Sequence, residues 1–117
     1  MKKTKIKVNS LKGRGVFADE IIRKNVEIET CHLIVINLAE VGRFLEGYVF
    51  DYGPRKVALA LGNGSLYNHS NEPNAICYMD RKNKVLSFEA LKMIKKGEEI
   101  SINYGYSKAD REKFHII

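Results

Sequence analysis

The sequence contains no tryptophan, two prolines and two cysteines, and it has no long hydrophobic run. Apolar stretches such as 33–36 are far shorter than the roughly 20 residues that a membrane-spanning helix needs, and no segment resembles a signal peptide. Cys31 and Cys77 stand alone among apolar residues, without the paired spacing of a zinc site, so we interpret them as buried free thiols. These absences predict a cytosolic, reducing environment and no membrane association.

The 117 residues correspond to one domain, and we expect residues 1–117 to fold as a unit. An apolar content of 44% and a charged content of 29% are ordinary for a soluble globular protein and argue against disorder. The net charge of +6 raises the question of an anionic partner. The basic residues are scattered along the chain and fall mostly at turns, which favours a solvated surface over a nucleic-acid interface.

Short apolar runs separated by turns dominate the chain and predict a mainly β fold with little helix. The spacing of apolar residues predicts one short helix over 39–47 and allows a terminal helix over 107–114. The polar residues 80–84 predict a hairpin between two strands, and residues 51–54 predict a turn after a strand at 48–50. No strand–helix–strand alternation is visible, so a doubly wound nucleotide-binding fold is not expected.

The densest polar segment is 67–74, which holds Asn68, His69, Ser70 and Asn74 between apolar runs. We expect this segment to form a buried polar turn. Buried polar groups need hydrogen-bond partners, and the partners can come from the protein itself or from a ligand.

Two further features allow more than one interpretation. Gly13 and Gly15 lack the third glycine and the following helix of a dinucleotide-binding motif, so they form either a tight turn or a place where a ligand approaches the backbone. Tyr104 ends an alternating strand directly before Gly105, where it either packs at the rim of a sheet or takes part in catalysis. Other tyrosines could join it in an aromatic channel: Tyr48, Tyr67 and Tyr106.

The sequence gives little support for a hydrolase or for a metal-dependent enzyme. A serine hydrolase needs a base next to its nucleophile, but Ser70 follows His69 directly, and adjacent side chains on an extended backbone point apart. The histidines at 32, 69 and 115 are far apart and lack a nearby acidic partner, so no metal site is predicted.

Three motifs in order resemble the SET-domain family of S-adenosylmethionine-dependent protein lysine methyltransferases. They are residues 12–18, which contain the glycine pair, residues 68–74, which contain Asn68-His69-Ser70 and Pro73-Asn74, and residues 97–105, which end in Tyr104-Gly105. The similarity extends from about Val8 to Gly105, with 106–117 as a C-terminal segment. In its brevity the chain resembles the minimal viral and bacterial members of the family, and residues 45–50 and 58–62 resemble the chlorovirus member in particular.

The resemblance implies a SET fold of several small sheets with a threaded C-terminal segment, or pseudoknot, which would explain the polar cluster at 68–74. It also implies the cofactor S-adenosylmethionine, the product S-adenosylhomocysteine, and no metal. Tyr104 is the implied catalytic residue, and Tyr48 and Tyr106 are the implied substrate-channel residues. Phe114 is preferred over Tyr106 for stacking on adenine. The implied cofactor-binding residues are Lys12, Gly13, Arg14, Gly15, Asn68, His69 and Phe114.

The chain differs from larger family members because it lacks their cysteine-rich zinc segments and their flanking substrate-reading segments. We therefore expect a homodimer that completes the substrate groove, and a lysine-containing protein or peptide substrate such as a histone. The expected compartment is the cytoplasm for a bacterial protein, and the host cell or its nucleus for a viral one. Two alternatives stay open: a catalytically weak SET module that binds a peptide or partner, and a small basic β domain that binds nucleic acid.

Overall fold

The computed structural model describes residues 3–9 and 13–103. Within these ranges the chain forms nine strands, one four-residue helix, and 3-10 turns at Leu38–Glu40 and Gly64–Leu66. The elements are β1 (Thr4–Asn9), β2 (Gly13–Ala18), β3 (Glu27–Asn37), α1 (Gly42–Leu45), β4 (Val49–Gly53), β5 (Lys56–Ala60), β6 (Asn68–His69), β7 (Ala75–Asp80), β8 (Val85–Ala90) and β9 (Glu99–Ile102).

The first sheet has the strand order β1-β2-β9-β6. Its pairings are antiparallel except at β6 and β9, which run parallel with Asn68 opposite Ser101 and His69 opposite Ile102. Strand β9 alternates, because Ile100 and Ile102 are fully buried while Glu99 and Ser101 are half-buried. The side chains of Glu99 and Ser101 therefore lie on the face opposite the core.

The second sheet has the order β4-β5-β3-β8-β7 and is antiparallel throughout. The predicted hairpin at 80–84 is present between β7 and β8. Asp80 holds its turn by accepting hydrogen bonds from the backbone N–H of Asn83 at 3.1 Å and from Asn83 Nδ2 at 2.8 Å. These bonds favour the charged carboxylate and keep the pKa of Asp80 below its usual range.

One hydrophobic core contains residues from both sheets. Tyr67 and Phe88 form its largest aromatic contact, with ring centroids 4.2 Å apart and planes inclined by 16°. Tyr67 immediately precedes β6, so this stacking anchors the start of the polar segment in the core. The core residues include Val16, Ala18, Ile100 and Ile102 from the first sheet and Leu33, Ala58, Leu86 and Phe88 from the second.

The region predicted as a helix over 39–47 differs from that expectation. It contains a 3-10 turn followed by the four residues of α1, and Gly42 adopts a φ of +71°, which breaks the right-handed helical path. Only Val41 of the apolar residues there is buried, whereas Phe44 is 93% exposed. Within the described ranges, no helix is long and apolar enough to cross a bilayer.

Strand β4 also differs from its predicted course. It continues through Asp51 and Tyr52 to Gly53, and the turn falls at Pro54 and Arg55 instead of 51–54. A register irregularity between Asp51 and Gly53 lets the strand stay paired with β5. Tyr52 Oη donates a hydrogen bond to the Arg81 carbonyl at 3.1 Å. Tyr52 therefore links β4 to the turn that follows β7.

Candidate active site

The polar segment at 68–74 is fastened to β9 mainly by Asn74. This residue is 8% exposed, and its Nδ2 donates to the Glu99 carbonyl at 2.9 Å while its Oδ1 accepts from the Ser101 backbone N–H at 2.9 Å. The Ser70 N–H adds a bond to the Ile102 carbonyl at 2.9 Å. The expected buried polar turn over 67–74 is buried only in part: Tyr67 and the anchor Asn74 are buried, whereas Asn71 and Glu72 are exposed. The protein itself satisfies that anchor.

Asn68 joins three strands of the first sheet. Its Nδ2 donates to the Arg14 carbonyl on β2 at 3.1 Å and to Glu99 Oε2 on β9 at 2.7 Å. Gly15 lies against both groups, because a Cβ built on it would lie 2.4 Å from Glu99 Oε2 and 2.8 Å from Asn68 Nδ2. A Cβ this close would force the ends of these two side chains to shift, so the glycine makes room for their hydrogen bond.

A pocket of about 590 Å³ opens beside Asn68. Its described lining combines backbone, polar and aromatic groups: Val8, Gly13, Arg14, Gly47, Tyr48, Ser65, Leu66 and Asn68. The volume falls in the range of about 300–1,000 Å³ that is typical of small-molecule sites. The first glycine of the pair and the first residue of the polar segment, 55 positions apart in the sequence, thus reach one cavity.

A half-buried carboxylate supports the chain just before Asn68. Glu29 accepts a hydrogen bond from Tyr67 Oη at 2.5 Å and one from Cys31 Sγ at 3.4 Å. Burial and then the Glu29 charge raise the pKa of Tyr67 well above its usual range, and the same causes raise the pKa of Cys31 to about 12. Both groups therefore keep their protons at neutral pH. Cys31 is an inert structural thiol, since the thiolate is the reactive form.

Four of the predicted site residues line the same pocket: Gly13, Arg14, Asn68 and Tyr48. Gly15 lies beneath Asn68 without lining the cavity. His69 is half-buried, and its Nε2 makes a 3.1 Å hydrogen bond with Asn71 Oδ1. Tyr67, considered above for an aromatic channel, instead packs in the core.

The remaining predicted site residues lie outside the described residues. These are Lys12, Tyr104, Tyr106 and Phe114, together with the possible terminal helix over 107–114. Across residues 3–9 and 13–103, no group of three or more histidine, cysteine, aspartate or glutamate side chains is placed to hold a metal ion.

Several site residues were missed by the sequence reasoning. Ser65 and Leu66 line the pocket from the 3-10 turn that precedes Tyr67. Because they directly precede the polar segment in the sequence, they could have been predicted as site residues. Glu99 stands inside the motif at 97–105, but nothing in the sequence connects it with Asn68. Glu29 stands in a strand of mixed polarity, and no spacing points to Tyr67, which is 38 positions away.

Comparison with known proteins agrees with this geometry. A model of the SET domain matches residues 13–105. A curated relative from Schizosaccharomyces pombe (strain 972), a histone-lysine N-methyltransferase specific for H3 lysine-37, is 37% identical over 99 residues, covering 80% of this chain and 67% of the relative. A crystal structure from Plasmodium falciparum, of a protein described provisionally as a histone methyltransferase, is 40% identical with a TM-score of 0.78, covering 93% of this chain and 98% of that one.

A mainly β chain whose glycine and polar segments meet at one pocket, matched over most of its length by the family model, defines a SET domain. The chain belongs to the SET-domain family and is a protein-lysine N-methyltransferase. The predictions of a mainly β SET fold and of methyltransferase activity are therefore confirmed.

Proposed function

We propose that the protein transfers a methyl group from S-adenosylmethionine to the Nζ atom of a lysine in a histone. The observation that carries the proposal is the convergence of Gly13, Arg14, Asn68 and Tyr48 on one pocket. Its lining combines backbone, a charged side chain and an aromatic ring, which are the groups that a site for a zwitterionic cofactor and an aliphatic amine requires.

The donor set fits the cofactor. S-adenosylmethionine carries an α-carboxylate, which the Arg14 guanidinium can pair with, and an ammonium group, which an amide oxygen can accept from. Gly13 adopts a φ of +78° and has open space where a Cβ would stand, so a ligand can approach its backbone closely. We infer that Arg14 and Asn68 hold the amino-acid part of the cofactor.

The cofactor, when bound, supplies a methyl group on a positively charged sulfonium. The protein must then align the lysine amine and keep it unprotonated, since a free lysine has a pKa of about 10.4. Tyr48 would line the channel and remove water from the ammonium, which lowers its pKa. The Tyr104 hydroxyl would orient the amine. Alignment of this kind supplies much of the rate enhancement without a strong base.

A histone tail is the substrate class that we propose because the S. pombe relative is named for one. A basic tail would be repelled by a chain of net charge +6 unless acidic groups stand near the channel. Glu46 and Asp51 are exposed and lie on either side of Tyr48 in the sequence, so they are the acidic residues that we propose for this role. A histone substrate would place the reaction in a nucleus.

Calorimetry with S-adenosylmethionine in the presence of a chelator tests the cofactor assignment. We expect binding by the wild-type protein without metal, and we expect Asn68→Ala to weaken it by about 1–3 kcal/mol, since the change removes a hydrogen bond to a charged group of the cofactor. Absence of binding, or binding restored only by zinc, would contradict the proposal.

A methylation assay on a lysine peptide array tests the substrate class. We expect incorporation of labelled methyl groups into histone-tail peptides and less into matched peptides in which the lysines are replaced by arginine. Binding of the cofactor without transfer to any peptide would instead support a catalytically weak module that binds a partner.

We propose in addition that two copies pair. The segment around α1, which precedes the pocket residue Tyr48 in the sequence, exposes several apolar side chains: Leu38 at 57%, Phe44 at 93% and Leu45 at 36% exposure. A second copy that covered this segment would bury it and extend the substrate groove, which the chain alone builds with few residues.

A further inference from the structure

The carboxylate of Glu99 has no role in the site as described so far, although it contacts the pocket residue Asn68. Its Oε2 lies 2.7 Å from Asn68 Nδ2. Its backbone is fixed on both sides, because Asn74 Nδ2 binds the Glu99 carbonyl and Phe17 of β2 pairs with Glu99 in register. The carboxylate therefore stands on a rigid strand and not on a loop.

The chemistry of its partners determines how the Asn68 amide is turned. Both neighbours of Nδ2, the Arg14 carbonyl and the Glu99 carboxylate, are hydrogen-bond acceptors. The opposite orientation would place the amide oxygen against two acceptors and lose both bonds. Asn68 Nδ2 donates its hydrogen bonds to these two protein acceptors. Asn68 Oδ1 is therefore the amide atom that can accept a hydrogen bond from a donor in the pocket.

Gly15 gives this arrangement its space. Its missing Cβ would lie 2.4 Å from Glu99 Oε2 and 2.8 Å from Asn68 Nδ2, the two atoms that form the hydrogen bond. Gly15, the second glycine of the pair, thus leaves space for the hydrogen bond between Asn68 and Glu99. Gly13, the first, instead adopts a positive φ, which other residues rarely adopt.

We propose that Glu99 is a positioning residue that turns the Asn68 amide so that Oδ1 accepts from the protonated amine of the cofactor. This inference rests on the proposed cofactor binding at this pocket. The neighbouring Glu98 provides a natural contrast, because it is exposed and its Oε1 accepts from the Lys95 backbone N–H at 2.7 Å in a turn.

Four variants separate the role of the acceptor from the role of the charge. Glu99→Ala removes the acceptor, and Glu99→Asp keeps the charge but withdraws it by one methylene. Glu99→Gln removes the charge but keeps an oxygen at the same reach. Glu98→Ala is the matched control on the adjacent position.

We expect the calorimetric Kd for S-adenosylmethionine to rise about tenfold in Glu99→Ala and Glu99→Asp, the loss of about one net hydrogen bond. Glu99→Gln should stay within about threefold of wild type, and Glu98→Ala should equal it. The KM for the peptide at saturating cofactor should not change in any of the four, because the effect is confined to the cofactor.

A second measurement does not depend on the cofactor at all. Exchange of the Asn68 side-chain amide hydrogens with solvent, followed by ¹H–¹⁵N spectra with Asn68→Ala to assign the signal, should be slow in wild type and Glu99→Gln. It should be faster in Glu99→Ala and Glu99→Asp.

Three results would overturn the role of Glu99. They are wild-type affinity for the cofactor in Glu99→Asp, an equal loss of affinity in Glu99→Gln and Glu99→Ala, and unchanged exchange of the Asn68 amide hydrogens in Glu99→Ala. If Glu99→Ala fails to fold, the Asp and Gln pair decides the question alone. If the wild-type protein does not bind S-adenosylmethionine, the proposed function fails, whereas the exchange measurement still decides whether Glu99 orders Asn68.

Discussion

A glycine is needed at position 15 because neighbouring side chains fill the space that a Cβ would take. Most glycines at turns are needed instead because the backbone there adopts a positive φ. The amide of Asn68 and the carboxylate of Glu99 occupy the position where a Cβ on Gly15 would stand. The nearer of the two is the end of a flexible side chain, which can move. A methyl group there should therefore disturb the hydrogen bond between these residues more than it disturbs the fold.

Gly15→Ala should raise the Kd for S-adenosylmethionine about tenfold while lowering the free energy of unfolding by only about 1 kcal/mol. Calorimetry and urea denaturation of the same preparation measure the two effects. Gly53→Ala is the control, since a Cβ at Gly53 meets nothing within 4 Å. A large loss of stability with unchanged affinity would contradict this account of Gly15.

Tyr104 carries the catalytic prediction, although it lies outside the described residues. Tyr104→Phe removes one hydroxyl and keeps the ring, so cofactor affinity should be preserved. If the hydroxyl orients the amine as the methyl group moves, the loss falls on the rate, and removal of such a group typically costs about 10²–10³ in turnover. Single-turnover methyl transfer beside calorimetric cofactor binding measures both. Wild-type turnover would remove Tyr104 from the catalytic assignment.

At the scale of elements, alternation of apolar residues was the reliable signal. Ile100 and Ile102 predicted the buried face of β9, and the polar residues at 80–84 predicted the hairpin between β7 and β8, because both follow from local spacing. The region at 39–47 was predicted less well. Its helical spacing at Val41, Phe44 and Leu45 does not correspond to a buried stripe, and Gly42 adopts a left-handed conformation.

The site could be predicted only where the family resemblance identified residues. Gly13, Arg14 and Asn68 were found in that way, and the structure brings them to one pocket. The pairings of Asn68 with Glu99 and of Tyr67 with Glu29 span 31 and 38 positions. Long-range contacts between single polar residues leave no periodic pattern in one sequence, which is why they were missed.

The hydrogen-bonded group of Glu29, Tyr67 and Cys31 predicts how stability depends on pH. Cys31 has a folded-state pKa of about 12 against an ordinary value of 9.0, and the pKa of Tyr67 is raised above 10.0. A raised pKa means that the folded state holds the proton more tightly than the unfolded state. The stabilisation is therefore complete below about pH 9 and is lost as the pH rises through the folded-state values.

Urea denaturation between pH 7 and 11, under reducing conditions, should show a constant free energy of unfolding up to about pH 9 and a decline above it. Cys31→Ala should be less stable at pH 7, because it leaves a cavity, but its decline above pH 9 should be shallower. An identical pH dependence in the variant and the wild-type protein would show that Cys31 does not contribute.

At the scale of the whole molecule, exposed apolar side chains lie in the segment that leads to the pocket residue Tyr48. Phe44 is 93% exposed and Leu38 57% exposed, and they precede the pocket residue Tyr48 in the same segment of the chain. Apolar side chains grouped at the surface and next to a site are typical of an interaction surface. The proposed homodimer would use this surface.

Light scattering at micromolar concentration should therefore give twice the chain mass of 13.4 kDa. Phe44→Ser should shift the protein towards the monomer and raise the KM for the peptide, because the second copy would no longer extend the groove, while the Kd for the cofactor stays unchanged. Ile21→Ser is the control, since Ile21 is 61% exposed in the loop after β2, away from the α1 segment. A wild-type mass of 13.4 kDa would refute the dimer. A dimer that Phe44→Ser leaves intact would show instead that the copies pair through another face.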